Sequence, residues 1–303
     1  MENLNINQQA VIPIIIIHKD EPKELDAMLE SIRENTSYPH KIFIIDNASS
    51  SDEARGYLKQ LSSHPKYNLI FNKSNNWVFG FNLAFKHKDW PEDCPLMVFS
   101  DCDVVVPKLP AKEACWLSYL KEQMDTYACI GKLGLPLLVS DLDNSELNQK
   151  IIKRETSFDT NPLIGTNTIC GVDTTLAIYR NDFFMMDRFK FLIGHASLAK
   201  PHYYTCRANR KYEAKHLGWY KKQDSLTVHY LKEKILCFAK YAAYLEPEIL
   251  AKATWIYRYY FLIVSSLAKV FWSARILAIV LVYYFKCYPR KMNPIQNAAK
   301  YGQ

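Results

Sequence analysis

The chain has 303 residues, of which 49% are hydrophobic, 23% charged and 14% aromatic. That balance excludes a disordered, collagenous or low-complexity chain, and the length suffices for one large domain, or a core with an appendage, around a real hydrophobic interior. The net charge of +7 is unevenly placed: residues 1–187 carry 18 Lys and Arg against 26 Asp and Glu, residues 188–230 nine against two, and residues 231–303 eleven against three.

An acidic first part joined to a basic last third points to an anionic contact for the latter: nucleic acid, a phospholipid surface or a phosphorylated substrate. Eight cysteines are scattered singly with no Cys-x-x-Cys pair, so neither a zinc site nor a redox motif is spelled out and reduced thiols are expected. The polar start MENLNINQQA lacks the basic and apolar segments of a secretory signal, which places the expected location in the cytosol.

Val11 to Ile17 is a β-branched run too short for a membrane span, and it predicts a strand buried on both faces of a parallel sheet. A helix should follow, with Pro22 in its first turn and Leu25, Met28, Leu29 and Ile32 on one face. The next strand is Lys41 to Ile45, then a helix capped near Ser51-Asp52 and running to about Ser63, a strand at Asn68 to Phe71, a helix at about Gly80 to Lys88, and a strand at Leu96 to Ser100. This alternation argues for an α/β layered domain with a mostly parallel sheet, whose ligands bind beyond the carboxyl ends of the strands. Three of the four strands end in polar clusters, His18-Lys19-Asp20-Glu21, Asp46-Asn47 and Asp101-Cys102-Asp103, which should converge on one cleft.

Beyond Asp103 the pattern predicts a helix at about Ala111 to Met124, a strand near Ala128 to Lys132, a mobile polar surface segment from Ser140 to Asn161, and a strand-like stretch from Thr168 to Tyr179. Arg188 to Lys222 is basic and aromatic. Thr254 to Phe285 is aromatic and aliphatic, broken by Arg258, Lys269 and Arg275, and its longest uncharged runs are shorter than a membrane span. Helices with such a composition suit the plane of an anionic membrane interface, and packing on the core or on a second subunit is the alternative.

In extended chain, Asp101 and Asp103 point the same way, so both can approach one divalent cation. Mg²⁺ or Mn²⁺ so held and bridged to a diphosphate would neutralise charge on a departing nucleoside diphosphate. Alone, an Asp-x-Asp is more often a solvated polar turn.

Its neighbours change that weight. The strand ending in Asp46-Asn47-Ala48-Ser49, then Asn75 to Asn82, then the Asp-Cys-Asp strand, resembles the nucleotide-sugar half of family 2 glycosyltransferases with the GT-A fold. The resemblance covers roughly residues 11–106. It implies that His18 and Asp20 border the base, that Asp46 hydrogen-bonds it with Asn47 alongside, that Gly80 and Asn82 lie in the following donor-binding segment, and that Asp101 and Asp103 hold metal and diphosphate. Lys211 to Tyr220 is similar to the Tyr-x-Ala-x-His-x-x-Trp-Tyr string of a subset of bacterial surface-polysaccharide glycosyltransferases. Members often complete the metal site with a late His, which implies His216, with His229 as runner-up; Lys211 and Lys215 would help hold phosphate. The Glu-Asp pair that supplies the base in many inverting members is missing between Phe183 and Lys211. Asp173 is the nearest substitute by order, and the stereochemistry stays open.

The expected enzyme is therefore a metal-dependent glycosyltransferase using Mn²⁺ or Mg²⁺ and a nucleoside-diphosphate sugar. Its acceptor would be a glycan or a lipid-linked acceptor of surface polysaccharide synthesis, with no nucleic-acid partner. Residues 1–230 would form the GT-A domain and residues 231–303 a helical region for association with the inner face of the membrane or for homo-oligomerisation. The alternatives are a non-catalytic membrane-associated scaffold of the same fold and a sugar nucleotidyltransferase. A dinucleotide oxidoreductase or a P-loop enzyme is disfavoured, because no Gly-rich phosphate loop follows the first strand.

Overall fold

A computed structural model describes residues 10–91, 94–110, 112–172, 176–181, 203–220 and 228–286. The amino-terminal third alternates as the hydrophobic pattern requires: β1 (Ile12–His18), α1 (Pro22–Asn35), β2 (His40–Asp46), α2 (Asp52–Ser62), β3 (Tyr67–Phe71), a 3-10 segment Trp77–Lys86, and β4 (Leu96–Asp101). Leu25, Met28, Leu29 and Ile32 are the buried face of α1. Ser51 caps α2 by accepting from the Ala54 N–H at 3.2 Å. Where a regular helix is expected from Gly80, the chain forms the 3-10 segment, which starts earlier, at Trp77.

The remaining elements are β5 (Val104–Val105), α3 (Trp116–Thr126), β6 (Ile130–Gly134), α4 (Glu146–Thr156), β7 (Leu163–Ile164), β8 (Asn167–Ile169), β9 (Leu176–Arg180), β10 (Tyr204–Arg207), β11 (Lys215–His216), α5 (Val228–Tyr241), α6 (Pro247–Ala251) and α7 (Trp255–Lys286). One further expectation is corrected here. The polar stretch Ser140 to Asn161 is not a bare surface segment but contains α4, capped by Ser145 and anchored by Glu155, which is 2% exposed and ion-paired to Arg207. Its hydrophobic signal is weak because a buried ion pair, rather than an apolar stripe, ties it down. The aromatic stretch near the end forms one helix of 32 residues. Among the described residues no helix is long and apolar enough to cross a membrane.

The main sheet has the order β3-β2-β1-β4-β9-β6-β10-β8-β7. The pairings β2·β3, β1·β2, β1·β4 and β6·β10 are parallel, whereas β8 and β9 run against their neighbours, so the sheet is mostly parallel in direction. Period-two alternation sends Ile12, Ile14 and Ile16 of β1 toward α1 and α3, and Ile15 toward Phe43, Phe81, Phe99 and Tyr179 on the opposite face. β1 is thus buried on both sides, as its unbroken apolar run demands. The seven cysteines among the described residues form no disulfide.

Candidate active site

Register brings three strand ends to one edge. His18 pairs with Asp46 across β1 and β2, and Ile17 pairs with Asp101 across β1 and β4. The polar clusters at these carboxyl ends therefore lie side by side at one edge of the sheet, the edge at which ligands of such sheets bind.

Asp46 is 5% exposed. Its Oδ1 accepts from Ser49 Oγ at 2.5 Å and faces His18 Nδ1 at 3.2 Å, and its Oδ2 accepts from the Ser49 N–H at 3.0 Å. Burial works to raise its pKa, but the hydrogen bonds from His18 and Ser49 outweigh it and hold the carboxyl below the usual carboxylate range. His18 Nε2 accepts from the Glu21 N–H at 3.2 Å, which assigns the proton to Nδ1, facing Asp46. At 1% exposure and with both ring nitrogens engaged, His18 orients Asp46 from behind.

Asp20 stitches the first two loops together. Its Oδ1 accepts from the N–H groups of Ser50 and Ser51 at 2.7 and 2.8 Å, and its own N–H donates to Ser49 Oγ at 2.9 Å. Asn47 is 4% exposed; its Nδ2 donates to the Trp77 carbonyl at 3.0 Å and its Oδ1 accepts from Asn72 Nδ2 at 2.8 Å. Gly80 lies against this pair: a Cβ there would stand 2.7 Å from Asn47 Oδ1 and 2.9 Å from Asn72 Nδ2. Asn82 Nδ2 donates to the Phe79 carbonyl at 3.0 Å, closing the same segment.

Backbone conformation marks these loops too. Asp20, Ala48 and Trp77 have φ of +54°, +61° and +48°, a region L-residues rarely adopt. Such conformations persist when surrounding contacts over-determine them, and they concentrate at functional sites.

The second half of the site is built around Asp103. β4 ends at Asp101, and Cys102 and Asp103 form a turn rather than continued strand, so the two carboxylates do not simply project in parallel. Cys102 packs into the apolar core on the α1 side. β11 pairs antiparallel with β5, and the Leu217 N–H donates to the Asp103 carbonyl at 2.7 Å. His216 Nδ1 thereby stands 3.4 Å from Asp103 Oδ2. That nitrogen is buried and makes no hydrogen bond among the described residues, and the ring stacks on Trp219 with centroids 5.0 Å apart and planes 7° from parallel.

Gly218 keeps this corner clear: a Cβ would approach Asp103 Oδ2 to 2.5 Å and His216 Cε1 to 2.8 Å. A carboxylate oxygen facing an unsatisfied imidazole nitrogen is a donor pair that fits Mn²⁺ or Mg²⁺. No group of three or more His, Cys, Asp or Glu side chains forms a complete cage among the described residues. Asp103 and His216 are thus the side chains that could hold such an ion, and Asp101 stands at the adjoining strand end.

The two predicted lysines are engaged with carboxylates. Lys211 Nζ lies 2.8 Å from Glu113, and Lys215 Nζ 2.9 Å from Asp141, which also accepts from the Tyr220 hydroxyl at 2.5 Å. Asp173 lies outside the described residues, and so does the side chain of His229. The sequence names Lys19 and Gly218 only within longer strings and gives neither a role. Gly218 follows the late His by two residues, and Lys19 donates to the Ala48 carbonyl at 3.0 Å.

Residues 14–130 match the family model for Glycosyl transferase family 2. No curated protein matches the chain by sequence. Among solved structures, the chain is similar to the mannosyltransferase PcManGT from Pyrobaculum calidifontis in complex with GDP-Man and Mn²⁺, with 13% identity, a TM-score of 0.47, and coverage of 96% of this chain and 86% of that one. It is also similar to TarS 1-349 of S. aureus, with 11% identity, a TM-score of 0.44, and coverage of 91% and 72%.

Proposed function

We propose that this chain, a family 2-like glycosyltransferase, is metal-dependent and moves a sugar from a nucleoside diphosphate to a glycan or lipid-linked acceptor of surface polysaccharide synthesis. It would work as a peripheral protein on the inner face of a membrane, with residues 1–230 as the transferase unit and 231–303 as the associating region. The observation that carries the reading is the meeting of Asp103 and His216 at 3.4 Å beside a glycine that leaves them room.

In this reading Asp46 accepts a hydrogen bond from the base, because its hydrogen-bonded environment keeps it an anionic acceptor. His18 and Ser49 fix its direction, so no reorientation accompanies donor binding. Asp103 and His216, with Asp101 alongside, would hold Mn²⁺ or Mg²⁺. When bound, the ion would supply positive charge against the departing diphosphate. Lys211 and Lys215 would exchange their carboxylate partners for phosphate oxygens and steady the leaving group. Asp173 is assigned as the base that takes the acceptor proton, a role that inversion requires.

Thermal shift against GDP, UDP and their sugar conjugates, with and without Mn²⁺, tests the reading, since a ligand bound only by the folded state raises its melting temperature. A Mn²⁺-dependent rise with one nucleotide that disappears in Asp103→Asn supports it. No rise with any nucleotide, from folded protein, transfers the weight to a non-catalytic scaffold.

A further inference from the structure

α7 is about 48 Å long at 1.5 Å per residue. Its two sides differ. The inner side carries Tyr257 and Phe261, which pack on the small core formed by Ile235, Leu245 and Ala253, and Ser265, which is 4% exposed. The outer side presents Tyr259, Ile263, Leu267 and Val270, all at least 60% exposed, at the three- and four-residue spacing that aligns them in one stripe. Ile256 and Leu281 extend the stripe in both directions. A contiguous apolar face of this extent calls for a cover.

Charge identifies the cover. α7 contains Arg258, Lys269, Arg275 and Lys286 and no Asp or Glu, and residues 231–303 carry eleven Lys and Arg against three Asp and Glu. A second copy of the same face would bring like charges together, whereas an anionic lipid surface complements both the aromatics and the cations.

The inner side reaches the donor loops. Trp272 of α7 stacks on Phe79 with centroids 4.9 Å apart and planes at 18°. Tyr241 of α5 stacks on Phe79 at 4.8 Å, and its hydroxyl donates to Asn76 Oδ1 at 3.3 Å. Phe238 packs on Trp77 at 5.6 Å. The Trp77 carbonyl, held at positive φ, is the acceptor for Asn47, next to Asp46. A second strut runs from Glu233 of α5 to Lys19 at 2.8 Å and on to the Ala48 carbonyl.

We infer that α7 is a two-sided element: its outer stripe rests on an anionic lipid surface, and its inner face, through Trp272, Phe79 and Tyr241, braces the loop that positions Asn47 and Asp46, so that lipid contact tightens donor binding. The inference rests on the donor-site reading above and extends it by naming the surface and the path. Linkage makes the coupling reciprocal, so the nucleotide strengthens lipid binding by the same factor.

The test uses the full chain, vesicles of phosphatidylcholine alone, and vesicles in which phosphatidylglycerol replaces a third of it, with GDP and UDP as nucleotide probes. Sedimentation should carry the protein down with the anionic vesicles and not the neutral ones, and nucleotide affinity should rise about fivefold or more in their presence. The pair Ile263→Asp and Leu267→Asp, on exposed positions, should abolish sedimentation and leave vesicle-free nucleotide affinity unchanged. Trp272→Ala should still sediment but bind nucleotide more weakly and without the vesicle response. Protein that stays in the supernatant with anionic vesicles, a dimer that the paired variant dissociates, or a nucleotide affinity indifferent to vesicles each overturns the inference. Absence of nucleotide binding under every condition would instead remove the donor-site reading and with it the coupling, leaving sedimentation to decide the lipid contact alone.

Discussion

Asp103 Oδ2 and His216 Nδ1 face each other across 3.4 Å, although one ends the first βα third of the chain and the other lies beyond the last strands of the sheet. A two-residue bridge, β5 with β11, makes the contact, and the Leu217 N–H locks it by donating to the Asp103 carbonyl. An imidazole nitrogen buried without a hydrogen bond carries a desolvation cost that a bound cation would offset.

If the two residues hold one ion, they act as a unit and their losses do not add. Asp103→Asn and His216→Ala should each lower turnover by on the order of a hundredfold, the scale on which loss of a charge-stabilising group is felt. The double variant should be little worse than either single one. Steady-state transfer assays across a Mn²⁺ titration measure this, and multiplicative losses would mean that the residues serve separate roles.

Gly218→Ala probes the same corner without removing a ligand. The new methyl would stand 2.5 Å from Asp103 Oδ2 and 2.8 Å from His216 Cε1, so one of them must move. The expected result is a weaker apparent Mn²⁺ affinity with near-normal turnover at saturating metal. Unchanged metal dependence would show that the corner is not where the ion sits.

Much of this is legible in the sequence. The apolar run of β1, the Pro22 start of α1, the Ser51 cap and the strand-end polar clusters all follow local rules, and each is where those rules place it. The late His was placed beside the Asp-x-Asp only through a family resemblance, because no periodicity links residues on a two-residue bridge. α4 was missed because its anchor is the pairing of Glu155 with Arg207, a long-range contact with no local signature. The turn at Cys102 and Asp103 was also hidden. Period-two reasoning assumes continued strand, and Cys102 satisfies it by packing into the core while the backbone bends.

Acid should loosen the loops held by Asp20 and Asp46 first. Asp46 is buried and Asp20 half-buried, which raises their pKa, yet their hydrogen bonds more than compensate and the folded values fall below the ordinary 3.8. A depressed folded pKa stabilises the native state above the unfolded value, and that contribution disappears as pH falls from there through the folded value. The urea midpoint should therefore drop as pH is taken from about 5 toward 3, and Asp20→Asn should lower the midpoint at neutral pH while flattening the acid drop. Equal acid slopes in wild type and variant would exclude Asp20 as a contributor.

Gly80 and Gly56 make a matched pair for testing how tightly the loop around Asn47 is packed. In α2, a Cβ on Gly56 would meet nothing within 4 Å, so Gly56→Ala should stabilise the protein by about 0.5–1 kcal/mol through helix propensity alone. At Gly80 the same methyl would lie 2.7 Å from Asn47 Oδ1, 2.9 Å from Asn72 Nδ2 and 3.2 Å from Ile17 Cδ1. Those amides hydrogen-bond each other at 2.8 Å, and Asn47 also holds the Trp77 carbonyl, so neither can withdraw without breaking the loop's own network. Overpacking of this kind costs about 1–3 kcal/mol, and Gly80→Ala should lower both the melting temperature and the affinity for nucleotide. Because Asn47 adjoins Asp46, the affinity loss should exceed that of any exposed substitution of equal melting temperature. A Gly80→Ala protein with native nucleotide affinity would show that the Asn47 network supports the fold without positioning the donor.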